Sequence, residues 1–386
     1  MSRLASRALR VALGSTLLLA LVLVLAGSTG PAAAAPGAPG DRKRTPTPTA
    51  TATATPTPPG APTATPAAIP VWASETIVYL PANDLVYHPG LRTIFASVPG
   101  AAGTTGNSIT PIDPFTGAAG APVFVGSEPR QLALAADGRT LYVGLDGAAA
   151  VRQVDVLTQT AGLQFSLGSD PFTGPFYAED IAVLPQNPDA VAVSRRNTGF
   201  TPRHEGVAIY DHGVQRPAVT PDHTGSNVVE FCGTASTLYG YNNESTEFGF
   251  RRMVVGPDGV SVLDVAENLI SGFGADIVCD AGLIYTSTGR VIDPATRTLV
   301  GTYGTFAPDT PFRPDSTKGR TFFLVPTPVG DEYDVVVYYQ RTFAPVGRLP
   351  VKGVAGKPHS LIRWGDYGLA FRTTGGQVFI LRFHHP

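Results

Sequence analysis

The chain has 386 residues, and its 43 Gly and 36 Pro make about a fifth of them, well above the usual share. Charged residues are 15%, with 28 basic against 30 acidic and a formal net charge of -2. So many turn residues exclude a helical bundle, so little charge excludes a coiled coil, and the near-neutral balance gives no electrostatic footprint for nucleic acid.

The first segment reads as an address. Arg3, Arg7 and Arg10 precede the apolar run Leu17–Ala26, and small residues Ala32 to Ala35 follow it. This is the layout of a secretory signal peptide over 1–34, with cleavage expected after Ala34. An uncleaved anchor is the alternative, although the strictly apolar run is shorter than the ~18–20 residues that span a bilayer. No cysteine follows the run to carry a lipid. After cleavage no stable membrane insertion is expected.

Residues 35–70 are a Pro/Thr-rich linker with ten Pro and nine Thr. Such a stretch has almost nothing to bury and cannot offset its ordering entropy. Pro-rich chain favours extended polyproline II, so it is expected to act as a semi-rigid stalk.

From 71 to 386 the texture changes to short apolar runs split by Gly, Pro, Asn and Asp. Gln131–Leu134, Thr140–Leu145, Val151–Val156 and Leu163–Leu167 read as four strands of an antiparallel meander. The third strand of that unit often ends in an apolar residue, Asp and a Thr-containing turn. It does so at Ile112-Asp113, Val154-Asp155 and Ile292-Asp293, and more weakly at Tyr210-Asp211. With Met253–Val255, Val335–Tyr339 and Val378–Phe383 filling the other slots, seven units of about 45 residues result, the period of a β-propeller blade. The last unit lacks a fourth strand, and Glu75–Leu80 is free to supply it. The expected fold is therefore all-β, a seven-bladed propeller whose ring is closed by an N-terminal strand.

The runs Ser127-Glu128-Pro129-Arg130-Gln131-Leu132-Ala133-Leu134 and Ala136-Asp137-Gly138-Arg139-Thr140-Leu141-Tyr142-Val143-Gly144 resemble the YVTN repeat. The resemblance is sharp over 105–167 and echoes at 281–303. It implies a propeller of the kind found in secreted and surface-layer proteins and in lactonase-like relatives. Fold alone does not decide among those roles.

No H-E-x-x-H, G-x-S-x-G or C-x-x-C occurs in the chain. Cys232 and Cys279 fall at nearly equivalent places on the inner strands of blades four and five. They read either as a disulfide, permitted in an exported chain, or as two buried thiols.

In a four-stranded blade the loops between strands one and two and between three and four share one face, and here they are short. The loops between strands two and three and between blades share the other face, and they are long. Long loops on a rigid scaffold are where binding usually resides. Two constellations are expected there. One is a polar ring at the mouth of the channel: Asp84, Gln131, Asp180, Asn227, Asp276 and His359. Its three carboxylates and amide oxygens suit Ca²⁺, and its plainer reading is a solvated channel mouth. The other spans blades three and four: Arg195, Arg196, Arg203, His204, Glu205, His223, Asn242, Asn243, Glu244 and Glu247. Its mixture of charges and amides suits a protein or glycan ligand, and its plainer reading is a solvated rim.

The leading expectation is a secreted or cell-surface, monomeric, non-catalytic module that binds an extracellular protein or glycan through the long-loop face. The alternative is a lactonase-like hydrolase with a channel-mouth cation polarising a carbonyl and His359 or His204 moving protons.

Overall fold

The computed structural model describes residues 72–384. The expected leader and linker lie outside the described residues. Seven four-stranded antiparallel sheets follow one another, each ordered from inner to outer strand as in sequence. Blade one is Asp84–His88, Thr93–Val98, Ser108–Ile112 and Val123–Phe124, and blade two is Pro129–Leu134, Thr140–Leu145, Ala150–Asp155 and Thr160–Ser166. Blade three is Tyr177–Val183, Ala190–Arg196, His204–Asp211 and Val214–Gln215. Blade four is Val228–Phe231, Thr237–Tyr241, Phe250–Gly256 and Gly259–Ala266, and blade five is Ile277–Asp280, Leu283–Thr286, Arg290–Asp293 and Thr298–Thr302. Blade six is Phe312–Asp315, Arg320–Pro326, Tyr333–Tyr339 and Pro345–Val351. Blade seven takes three strands from the end of the chain, Pro358–Arg363, Gly368–Thr373 and Gln377–Phe383. Its fourth is the N-terminal strand Trp72–Tyr79, antiparallel to Gln377–Phe383 with Tyr79 opposite Gln377. The closure expected from the sequence is the one observed.

The core is divided among the blade interfaces. Side chains alternate along a strand, so each blade offers one set to the preceding blade and another to the next. Leu141 and Val143 pack with Phe95 and Ile109 of blade one. Tyr142, between them, packs with Val191 and Tyr210 of blade three. The pattern continues around the ring to a cluster joining Trp364, Ala370 and Ile380 of blade seven to Leu85 and Ile94 of blade one. Burying each such side chain stabilises the fold by roughly 1.5–3 kcal/mol.

The recurring Asp marks a turn that its own carboxylate organises. Asp113 Oδ1 accepts from the Phe115 amide at 2.8 Å and Oδ2 from the Thr116 hydroxyl at 2.8 Å. Asp155 Oδ1 accepts from the Leu157 and Thr158 amides, both at 3.0 Å, and Asp293 Oδ1 holds those of Ala295 and Thr296. Asp supplies these acceptors and so fixes where the third strand stops. Blade four lacks the motif and turns through Pro257-Asp258 instead. Gly259 leaves that turn with φ +131, and a Cβ there would lie 2.0 Å from the Ala218 carbonyl.

Cys232 and Cys279 form a disulfide with a Cα–Cα distance of 5.5 Å, joining blades four and five. Replacing both by Ser is expected to lower stability by up to about 4 kcal/mol, since the bridge closes a loop of 47 residues. Urea unfolding of the oxidised parent and the double variant measures this. Deleting residues 72–79 leaves blade seven with an open edge. Loss of the cooperative melt, or aggregation on size exclusion, is the expected result.

Candidate functional site

The inner strands enclose a channel of about 990 Å³, lined among others by Asp84, Gln131, Asp180, Asp276 and His359. Asp84 opens its inner strand, Asp276 directly precedes its own and Asp180 is the fourth residue of Tyr177–Val183, and their oxygens hold backbone amides. Asp84 accepts from its own neighbour Leu85 at 2.9 Å and, across the blade boundary, from Leu132 at 3.0 Å. Ser360 of blade seven also donates to Asp84, at 2.8 Å. Asp180 repeats the device, accepting from Ile181 at 2.9 Å and from Val229 of blade four at 2.7 Å. Asp276 accepts from Ile277 at 2.8 Å and is the most open of the three. Among the described residues no three His, Cys, Asp or Glu side chains form a metal-ligating group.

One further acid is absent from the sequence reading. Glu230 lines the channel from the inner strand of blade four. Enclosure by the surrounding protein and the nearby Asp180 carboxylate push Glu230 up to about 8, against the opposing pull of Arg313. Enclosure within the channel likewise raises Asp180 to about 7 and, although its side chain opens on the lumen, Asp276 to about 6, with the Ile277 amide and Arg313 restraining the latter. Asp84 is raised by burial and restrained by its hydrogen bonds and Arg372. His359 is held down to about 4 by burial and by Arg372 and Lys357.

Asn227 belongs elsewhere than the channel mouth. It is fully buried, donating to Glu244 Oε2 at 3.2 Å and accepting from the Asn243 amide at 3.2 Å. That contact ties the second constellation into a network running around the long-loop face. Arg130 and Arg196 share Asp146 at 3.1 and 2.7 Å, and Arg196 continues to Glu179 at 3.0 Å. Glu179 pairs with Arg203 at 2.6 Å, and the Arg203 amide donates to Glu244 at 2.9 Å. The network thus spans blades two to four, with Asn243 anchored on the Ala275 carbonyl at 3.0 Å beyond it. Asp146 and Glu179, its central acids, lie in blades two and three and gave no signal in the sequence.

The remaining residues of that constellation separate. Arg195 is buried under Phe176, 4.8 Å from the ring centre, and donates to Gln215 at 3.0 Å. His204 is 1% exposed, and neither ring nitrogen has a partner. Burial and the guanidiniums of Arg251 and Arg195 hold it down to about 3, so it stays neutral. Glu205 is buried and accepts from Asn197 at 2.9 Å. Asn242 is also buried and donates to Glu247, which pairs with Arg251 at 2.6 Å. His223 remains exposed, its amide bonded to the His204 carbonyl.

What the long-loop face does present is aromatic. All five exposed aromatics among the described residues lie on it: Phe172 88%, Tyr79 80%, Phe124 67%, Phe273 59% and Phe200 57%. Phe172 tips the hairpin Ser169–Asp170/Gly174–Pro175 between blades two and three. Phe200 tips the loop between the second and third strands of blade three, and Phe273 that between blades four and five. Tyr79 and Phe124 end strands opposite Gln377 and Ser108, where third strands leave this face.

In comparisons with known proteins, the chain is similar to the β-propeller domain of Myceliophteria thermophila Cps50 (Swd1). The TM-score is 0.60 at 10% identity, covering 81% of this chain and 99% of that one. Kuenenia stuttgartiensis hydrazine synthase is also similar, at TM-score 0.43 and 16% identity, covering 77% of this chain and 75% of that one. No family model and no curated protein matches the chain. At these identities the likeness to the Swd1 domain shows a β-propeller fold and nothing of function.

The channel acids set a pH dependence. Glu230 and Asp180 titrate near about 8 and about 7 when folded, against ordinary values of 4.5 and 3.8. The folded state therefore holds more protons across that window, and stability falls as pH rises through it. His359 and His204 act in the opposite sense, but only below their ordinary value of 6.5. Acidifying from pH 8 to pH 6.5 is expected to raise Tm. Glu230→Gln should remove most of that slope, as read by calorimetry.

Proposed function

We propose that this chain is an extracytoplasmic, non-catalytic binding propeller of the YVTN-like kind that docks a protein on its long-loop face. The observation that carries the reading is the gathering of exposed aromatics there. Aromatic anchors ringed by polar groups mark protein interfaces, where a few such side chains supply most of the binding energy. Arg203 and Arg130, each about half exposed, provide a polar border. The disulfide suits an oxidising compartment. No helix among the described residues is long and apolar enough to cross a membrane.

A glycan is the less favoured ligand. Sugar recognition draws on amides and carboxylates free to bond hydroxyls, and Asn227, Asn242, Asn243 and Glu244 already bond one another or the backbone. The hydrolase alternative finds little support in the same side chains. Asp84 and Asp180 hold amides across blade boundaries, and His204 is sealed from solvent.

Cross-linking the full chain to its native envelope, then comparing it with Phe172→Ala/Phe200→Ala, tests the reading. Both rings are exposed, so Tm should stay nearly unchanged. Affinity for the cross-linked protein, measured by interferometry, should fall on the order of tenfold per anchor. Equal binding by parent and variant would count against this face, and binding only to glycan-bearing fractions would favour the sugar reading.

A further inference from the structure

The charged lining of the channel is acidic across blades three to five and, apart from Asp309, basic across blades six and seven, with Asp84 and Arg130 between the two arcs. Asp180, Glu230 and Asp276 come from the consecutive blades three, four and five, whereas Arg313 comes from blade six and Lys357, His359 and Arg372 from blade seven. Three of these groups are engaged: Asp180 and Asp276 hold amides, and Lys357 pairs with Asp309. Four are not. The side chains of Glu230, Arg313, His359 and Arg372 make no hydrogen bond and no ion pair within 4.0 Å among the described residues, and of these Glu230 is the one acid. Glu230 and Arg313 nevertheless feel each other, for Arg313 draws Glu230 down against its upward push. The same lining holds two buried polar atoms with no partner, Arg372 Nε and Gln131 Oε1.

A carboxyl and a guanidinium that share a lumen without touching leave a gap with a donor-seeking side and an acceptor-seeking side. A lone cation satisfies only the first, and a lone anion only the second. A molecule carrying both charges satisfies both without burying net charge. Arg pairs with a carboxylate through two parallel bonds, and an ammonium supplies three donors to acids. A channel of about 990 Å³ has room for such a molecule with its water.

We infer that the channel binds a small zwitterion, an α-amino acid or dipeptide, with its ammonium against Glu230 and Asp180 and its carboxylate on Arg313. This uses the lumen and none of the aromatic loop tips, so it stands or falls separately from partner docking. Proton linkage follows from the site. Glu230 is largely protonated at pH 7 when the lumen is free, and an ammonium beside it favours the carboxylate. Binding therefore releases a proton, and affinity rises as pH rises towards about 8.

Calorimetric titration of the full chain at pH 7 tests this, using the common amino acids and glycylglycine as probes, with methylammonium and acetate as half-ligands. Saturable binding of at least one zwitterion is expected below about 10 mM, with heat that varies with buffer ionisation as a released proton requires. Glu230→Gln should reduce that proton release to the share Asp180 supplies and weaken binding about tenfold, and Arg313→Gln should weaken it similarly. Neither side chain has a hydrogen bond or ion pair to lose, and a single cooperative melt for each variant confirms a folded channel. Absence of binding by every zwitterion at about 10 mM overturns the inference. So does methylammonium binding as tightly as the zwitterion, or a Glu230→Gln protein that binds as well as the parent.

Discussion

Every blade of this ring has two apolar faces, and neither is covered by the blade itself. Phe322 and Leu324 face blade seven, while Phe323 between them faces blade five. Removing one neighbour would expose half the apolar side chains of a sheet, so the blades hold one another and the ring must close. Trp72 makes the closure specific: it stacks on Phe383 at 5.2 Å and donates its indole N–H to the Pro350 carbonyl of blade six. Blade five is the thinnest sheet, with three strands of four residues. The disulfide falls on its boundary with blade four, where a covalent tie compensates most for short strands.

The channel poses a second constraint. An inner strand is a sheet edge, with amides pointing away from its own blade and unpaired unless something accepts from them. Asp84 and Asp180 meet that need by reaching over to Leu132 and Val229. Their carboxyls are raised because enclosure outweighs these bonds, and the bonds keep them from rising further. The ion-pair network on the long-loop face does comparable work for the loops, since Glu244 holds the Arg203 amide as well as the Asn227 side chain. Exposed pairs contribute little singly, about 0–1 kcal/mol. Their value here is geometric, fixing loops of adjacent blades to one another.

Blade count, ring closure and the pairing partners Cys232 and Cys279 were legible because each has a local signature: alternation, the Asp-Thr turn, equivalent positions on neighbouring strands. The long-loop face was legible from loop lengths alone. Its chemistry was not. Asn227 and His204 look like loop polars in sequence, and both are buried because the blade boundary folds over them. Asp146 and Glu179 find their arginines through contacts up to 50 residues apart, which no local pattern announces. Phe172, Phe200 and Phe273 pass for core residues, since a phenylalanine carries no sign of exposure. Glu230 had a signal available, a single charge interrupting the apolar inner strand Val228–Phe231.

The two faces of the ring differ in what their connections are needed for. On the short-turn face the Asp side chains spend their oxygens closing two- to four-residue turns, and hardly any chain remains to do anything else. On the long-loop face the connections exceed what a turn requires, and the surplus carries rings out to water. An exposed phenylalanine forgoes roughly 1.5–3 kcal/mol of burial. This fold buries Phe250, Phe323, Phe371 and Phe379 completely, so it has no difficulty enclosing such side chains. Packing therefore gives no reason for Phe172 and Phe200 to stand at hairpin and loop tips. The proposed docking on this face supplies one, since a partner would recover the forgone burial and the ion-pair network beneath the loops would lower the cost of ordering them.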